Sequence, residues 1–477
     1  MASDGKSSSW TATRRRVARA IARVRADYAA GAPSPPHPAE PPVPADLLIL
    51  LCRIGVALVG ASETSARVQE ILDKLSRRYG TDNIHFMVLP TAVFVRVRTA
   101  EGSAIDMLDA SVGTLPLDQI AGLYRLIDHI EADAPPPRDA ARELDAILSA
   151  KPGSPPWLIL LGQVVLTVGL GMMLNPAARA LVGYVVLGLV VGALTQLADK
   201  VRLLSLALPV IAAALVAVLA FGFPGTLSGG QPTQLVIPAI ATLLPGAMLT
   251  NGTIELATGS MVAGASRVVY GINMLFLLAF GLYVGISVLG PLSNPTVSQA
   301  QLGWWAPLIG VLLIGFGHSW RSSAPQNSVG WLLLVLYVTY LAQFVGKTLS
   351  GPLTGAFLGG LMAVPAAYLI QGRKHAPPRQ VAFLPAFWML VPGGISLTGV
   401  SEVVMHTTGT TAASGLEVVV SALLSVMSIA LGVMVGSGLS ATRTPNVGPI
   451  IDSMLPQGRH LPWQHQAEAA ERSDPDS

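Results

Sequence analysis

Between residues 151 and 450 the chain carries only four carboxylates, Asp199, Glu255, Glu402 and Glu417, against 18 in its first 150 residues. Apolar runs of about 18 or more residues fill that interval, each long enough to cross the hydrocarbon of a bilayer. Acids are scarce there because an unpaired charge in hydrocarbon costs several kcal/mol. The pattern predicts a polytopic α-helical membrane protein preceded by a soluble part, where 17 Lys/Arg balance the 18 acids. The net charge of +3 averages two environments and says little. Cys52 is the sole cysteine, which rules out an internal disulfide and fits a reducing compartment.

Residues 1–45 read as a disordered basic arm and a proline-rich linker, "GAPSPPHPAEPPVP". After Arg14-Arg15-Arg16 the residues are basic and amphipathic, which suits anionic headgroups better than a secretion signal. Residues 46–151 predict a small cytoplasmic α+β domain. Helical spacing from Asp46 to Tyr79 is interrupted at Gly60-Ala61-Ser62, "NIHFMVLP" and "TAVFVRVR" form a hairpin, and two helices flank Pro135-Pro136-Pro137. Within "GASETSARVQE", Ser62, Glu63, Thr64 and Ser65 suit a helix start. A catalytic reading would need a base, and His85 is the nearest by sequence. The chain shows no Walker loop, no metal-ligand His/Cys cluster and no GxSxG elbow, so no cofactor, metal or nucleotide-driven pumping is expected.

Ten spans are predicted, near 157–174, 180–197, 203–222, 233–265 and 268–290, then near 304–320, 327–345, 348–370, 380–408 and 415–438. The second five repeat the first at an offset of 147: Trp157 falls on Trp304, Val182-Gly183-Tyr184 on Val329-Gly330-Trp331, and Gln196 and Lys200 on Gln343 and Lys347. An odd number of spans per copy requires opposite insertion, giving two inverted five-helix repeats at 157–290 and 304–438 and a disordered cytoplasmic tail at 439–477. Loop charges agree. With the N-terminus inside, cytoplasmic loops receive Lys200, Arg202, Arg267, Arg321, Arg373, Lys374, Arg379 and Arg443, and outer loops only Arg179 and Lys347. Both termini are therefore placed in the cytoplasm. Gly188/Gly192, Gly281/Gly285, Gly355/Gly359 and Gly432/Gly436 read as close-packing faces.

Two of these segments carry polar breaks. "LLPGAMLTNGTIELATG" (243–259) and "LVPGGISLTGVSEVVMH" (390–406) align Pro245, Gly252 and Glu255 with Pro392, Gly399 and Glu402. Proline removes a donor and glycine accepts non-helical angles, so unwound centres are expected at Pro245-Gly246 and Asn251-Gly252. Half-helices ending at mid-depth offer N–H groups to a carboxylate and carbonyls to a cation, as an amino-acid zwitterion requires. The candidate substrate groups are Pro245, Gly246, Thr250, Asn251, Gly252 and Thr253, with Pro392, Gly393, Ser396, Thr398, Gly399 and Ser401. Glu255 and Glu402 are candidate proton carriers. Set against this, either acid could be a structural partner of Arg267 or Lys347, and the Pro-Gly pairs could serve only to bend helices. Asp199, Glu417, His318 and His406 lie near span ends and need no special role.

The stretches "GASETSARVQEILDKLSRRYG", "MVLPTAVFVRV", "LLPGAMLTNGTIELATGSMVAGASR" and "LVPGGISLTGV" resemble, in this order, the threonine/serine exporter family. The resemblance covers about residues 46–440. It implies a proton-driven exporter of L-threonine and L-serine in a bacterial inner membrane, with a cytoplasmic N-terminal domain. It assigns no individual binding residue. The expected partners are threonine, serine, protons and lipid, with no nucleic acid; a homo-oligomer is left open. Alternatives are an exporter of dicarboxylates or other small organic anions, a channel, or a membrane-anchored enzyme or sensor acting through residues 46–150.

Overall fold

In the computed structural model the described residues are 43–99, 102–110, 113–229, 231–289, 301–371, 373, 376–390 and 412–441. The basic arm, the linker up to residue 42, the tail from 442 and the second Pro-Gly segment lie outside them. So do Pro392, Gly393, Ser396, Thr398, Gly399, Ser401 and Glu402, the candidate residues of the second copy.

The chain first forms α1 (Ala45–Gly60) and α2 (Ser65–Arg78), then an antiparallel sheet of β1 (Ile84–Leu89), β2 (Ala92–Thr99) and β3 (Gly102–Asp109) in the order β1-β2-β3, then α3 (Leu117–Asp133) and α4 (Pro137–Ser149). Period-2 patterning shapes β1: Ile84, Phe86 and Val88 are buried, whereas His85 and Met87 face outward. Those inward residues join Val93, Val95 and Val97 from β2 and Leu50, Leu51, Ile54 and Leu58 from α1 in one core. Each fully buried leucine contributes roughly 1.5–3 kcal/mol. The predicted hairpin and helices are present. The third strand was not foreseen.

The apolar part begins with α5 (Pro156–Leu174), α6 (Ala180–Ala198) and α7 (Arg202–Gly222). The next segment is broken into α8 (Thr233–Ile240), a 3-10 turn (Ala241–Leu243) and α9 (Gly246–Ala257), followed by α10 (Met261–Leu289). Then come α11 (Ala306–Arg321), α12 (Val329–Ser350), α13 (Pro352–Ile370), α14 (Arg379–Met389) and α15 (Ala412–Ala441). Among the described residues seven helices have the length and hydropathy of a span, or eight if Thr233–Leu243 and Gly246–Ala257 count as one bent by 64°. α11 has 16 residues, and α14 ends just before undescribed residues begin. The protein is a multi-pass, mainly helical membrane protein. Large apolar side chains such as Leu203, Leu206, Phe276 and Leu349 are exposed on these helices, as lipid contact requires.

Glycines set how closely the helices approach. A Cβ added to Gly169 would lie 2.8 Å from the Gly310 carbonyl oxygen, and one on Gly310 would lie 2.7 Å from that of Gly169. Gly162 and Gly317 block each other in the same way at 2.8 Å. These pairs run in opposite directions along the chain, so α5 and α11 are antiparallel and touch backbone to backbone. Gly281 and Gly285 of α10 approach Val210 and Ala214 of α7, while Gly432 and Gly436 of α15 approach Phe357 and Leu361 of α13. Shifted by 147 residues, α7 overlaps α13 and α10 overlaps α15, so the two contacts join helices at matching positions in the sequence.

The break expected at Pro245 is present: the first helical stretch stops at Leu243 and the second begins at Gly246, with Leu244 extended (ψ 135°) between them. Two other expectations about this segment change. Asn251-Gly252 is helical, inside α9. Gly252 is small for another reason: a Cβ there would lie 2.8 Å from Val268 and 3.0 Å from the Gly264 carbonyl oxygen of α10. The single span expected over 233–265 ends at Ala257, because Thr258–Ser260 turn the chain, with Gly259 at φ +88°, into α10.

Candidate functional site: the bent span and the loop seated on it

α9 presents Asn251 and Glu255, one helical turn apart and so on one face. Glu255 is completely buried, and Arg267 of α10 reaches it across the Gly252–Gly264 contact: Arg267 Nε lies 3.0 Å from Glu255 Oε2. The N–H is not aimed along that line, so this is an ion pair without a hydrogen bond. The other carboxylate oxygen accepts the backbone N–H of Ser65 at 2.7 Å.

Ser65 opens α2, so Glu255 sits at that helix's positive end, a favourable place for an anion. The helix starts where the sequence predicts. The expected side-chain cap is absent, however: Thr64, at the N-cap, makes no side-chain cap bond. The acid of a helix 190 residues away takes the N–H instead.

The rest of the loop joining α1 and α2 is held through its main chain. Asn251 Nδ2 donates to the Ser62 carbonyl oxygen at 3.0 Å, Arg267 Nη2 to that of Glu63 at 3.1 Å, and Gln380 Nε2 to that of Ala61 at 3.4 Å. Ser62 adopts φ +63°, a left-handed turn that non-glycine residues rarely use. Within the first unit, the Tyr124 hydroxyl donates to Glu63. Burial and the neighbouring Glu63 charge both push the Tyr124 phenol well up, which keeps it a donor. Burial works against the Arg67 charge, but the Glu70 and Glu63 carboxylates outweigh it. Apolar contact completes the docking, with Ala61, Leu117, Ile120 and Ala121 packed against Leu332 and Val381.

Three cavities meet at Ala247, near the start of α9. The first, about 90 Å³, lies between the seated loop and helices α9, α13 and α14, with Arg67, Arg379, Gln380 and Tyr368 on its wall. Arg379 stacks over the Tyr368 ring, 4.9 Å from its centroid, and donates to its hydroxyl. The second, about 20 Å³, lies at the break itself beside Gly246, Thr242 and His318. Thr242 Oγ1 and His318 Nε2 are buried there without a hydrogen-bond partner. The third, about 250 Å³, is lined by Pro245, Arg267, His318 and Arg321. Asn251 and Ser62 line both the first and the third, so their hydrogen bond forms part of the wall between them.

Of the residues chosen from sequence, Pro245, Gly246 and Asn251 line these cavities, while Glu255 is buried outside their walls against Arg267, which lines the third. Thr250 is fully buried, with its hydroxyl unpartnered. Thr253 turns its hydroxyl back to the Leu249 carbonyl oxygen at 2.8 Å. Glu255 has the Arg267 partner that was the structural alternative. His85 lies on the exposed face of β1 whereas Ser65 is buried against Glu255. Among the described residues no group of three or more His, Cys, Asp or Glu could hold a metal ion. Sequence reasoning missed Arg67, Arg379, Gln380 and Tyr368. Arg379 and Gln380, polar residues opening an apolar helix, were the available signal.

The family described as "Putative threonine/serine exporter" matches residues 49–289, half of the chain. Pheromone-regulated membrane protein 10 of Kluyveromyces lactis is 25% identical over 422 residues, covering 82% of this chain and 42% of that protein. The protein of the same name from Yarrowia lipolytica is 26% identical, covering 74% of this chain and 30% of its own length. An uncharacterized protein of Schizosaccharomyces pombe is 24% identical, with 83% and 54% covered. The chain thus spans about a third to a half of the relatives it matches. No solved structure matches it.

Proposed function

Because this chain belongs to the threonine/serine exporter family, we propose that it is a secondary exporter of small L-amino acids, threonine and serine, driven by the proton gradient. The observation that carries this reading is the buried pair between Glu255, on the second half of a span bent by 64°, and Arg267 of α10. A zwitterion needs a cation for its carboxylate and an anion for its ammonium, and the pair offers one of each. Protonating Glu255 would remove the charge that holds both Arg267 and the end of α2, so proton binding and substrate binding would act on one group. Glu402 is the proposed counterpart in the second copy.

Ten spans in two inverted repeats form part of the proposal. In its support, α5 and α11 are equivalent at the 147 offset and pack antiparallel through reciprocal glycines, as a two-fold axis in the membrane plane would require. Residues 46–151 would be cytoplasmic, since they dock beside cavities lined by Arg379 and by Arg267 and Arg321. Both termini would then be cytoplasmic, in a bacterial inner membrane by the family resemblance, although the relatives compared are fungal.

One observation favours a second reading. Arg67, Arg267 and Arg379 line the cavities, a cationic lining that a dicarboxylate would also satisfy. Counterflow in proteoliposomes separates the two. Labelled threonine should exchange against unlabelled threonine and serine but not against succinate. Exchange of succinate alone would replace the amino-acid reading.

A further inference from the structure

The hydrogen bonds that the membrane helices make to the loop between α1 and α2 fall, among the described residues, on its main chain. Three consecutive carbonyl oxygens, of Ala61, Ser62 and Glu63, accept from Gln380, Asn251 and Arg267, and the Ser65 N–H is given to Glu255. Carbonyl oxygens received by cationic and amide donors, with an N–H received by a carboxylate, are the complement of an α-amino acid. Its carboxylate accepts where the loop's carbonyls accept, and its ammonium donates where the loop's N–H donates. Arg267 and Glu255, 3.0 Å apart, suit the two charged ends, leaving Asn251 and Gln380 for a side-chain hydroxyl.

We infer that the Ala61–Ser65 loop is a built-in occupant of the amino-acid site: it fills the groups that hold substrate and must unseat before substrate binds from its side. The inference rests on the exporter reading and adds a regulatory element to it. The loop is bound by competition for four polar side chains, so anything that stabilises the unseated loop raises apparent affinity, and anything that stabilises the seated loop lowers it. The left-handed turn at Ser62 and the bond from Tyr124 to Glu63 present the loop in this shape from the first unit.

The Ser65 N–H can be deleted with little disturbance. Ser65 is the first residue of α2, where proline is tolerated, and Thr64 at φ −72°, ψ 148° already has the conformation that precedes a proline. Ser65→Pro removes the donor to Glu255; Ser65→Ala keeps it and removes only a hydroxyl that has no partner. The difference between the two variants therefore isolates the bond. In the full chain reconstituted in lipid vesicles, Ser65→Pro should lower the KM for threonine about ten-fold relative to Ser65→Ala, the scale of a hydrogen bond to a charged group. Independently, a cysteine at Thr64 (Thr64→Cys) should react faster with a soluble maleimide when threonine is added, and faster still, without threonine, when combined with Ser65→Pro.

Equal KM values and equal labelling rates in the two Ser65 variants would overturn the inference. So would protection of Thr64→Cys by threonine, which would place loop and substrate together rather than in competition. If the parent chain moves no threonine, the substrate reading fails, and the labelling difference between Ser65→Pro and Ser65→Ala alone decides whether the loop is clamped by Glu255.

Discussion

Arg267 Nε and Glu255 Oε2 lie 3.0 Å apart with side chains only 4% and 1% exposed, which seals two opposite charges between α9 and α10. Removing one member of such a pair is far costlier than removing both, because the survivor keeps its desolvation cost and loses its partner.

Arg267→Met or Glu255→Gln alone should therefore destabilise the folded protein by about 3–5 kcal/mol. The double variant should recover most of that loss. Thermal melting in detergent, followed by size exclusion, checks this. Single variants that melt with the parent would mean the charges are hydrated rather than sealed.

Helix contacts make a second contrast. A Cβ on Gly432 would sit 2.2 Å from the Phe357 carbonyl oxygen, whereas one on Gly330 would meet nothing within 4 Å. Gly432→Val should force α13 and α15 apart and lower the yield of folded protein, while Gly330→Ala should express and melt like the parent. Equal behaviour would show that the α13–α15 contact is not tight.

Much of this was legible in the sequence. Glu255 stood out because an acid in an apolar run needs a reason, and Arg267 was the nearest cation able to answer it. The hairpin was legible because β1 and β2 alternate, as the buried Phe86 and exposed Met87 show. β3 was not: Ile105, Met107 and Leu108, its large apolar residues, are exposed at 69%, 55% and 38%, so neither face of the strand is turned inward. The docking of Ala61–Ser65 on Asn251, Arg267 and Gln380 was also hidden, because three of its four contacts end on carbonyl oxygens, which every residue carries. Asn251-Gly252 suggested unwinding, but a close helix crossing places the same demand for a small residue at Gly252.

The bend gives a third prediction. Pro245 supplies no N–H and holds Leu244 extended, which keeps α9 out of line with α8. Pro245→Ala would let the segment straighten toward one helix, narrowing the cavity beside Thr242 and His318. Threonine flux should fall while melting temperature is kept. Undiminished flux would make the proline dispensable to the path.

Cys52 gives a fourth. Burial, aided by the Asp106 charge, pushes its thiol up to about 11 from an ordinary 9.0. The folded state therefore holds its proton more tightly than the unfolded chain. This contribution to stability is complete below about pH 9 and is lost as pH rises toward 11. A maleimide at pH 7.5 should label Cys52 slowly in the native protein and quickly after denaturation. Rapid native labelling would show that α1 is not packed as described.

The most direct test is threonine flux into vesicles holding the purified chain, under an imposed proton gradient, for the parent and for folded, quantity-matched Glu255→Gln. The account predicts that the parent drives threonine against its concentration, stops when an uncoupler is added, and that the variant does neither. Gradient-driven accumulation by Glu255→Gln at the parental rate would contradict it.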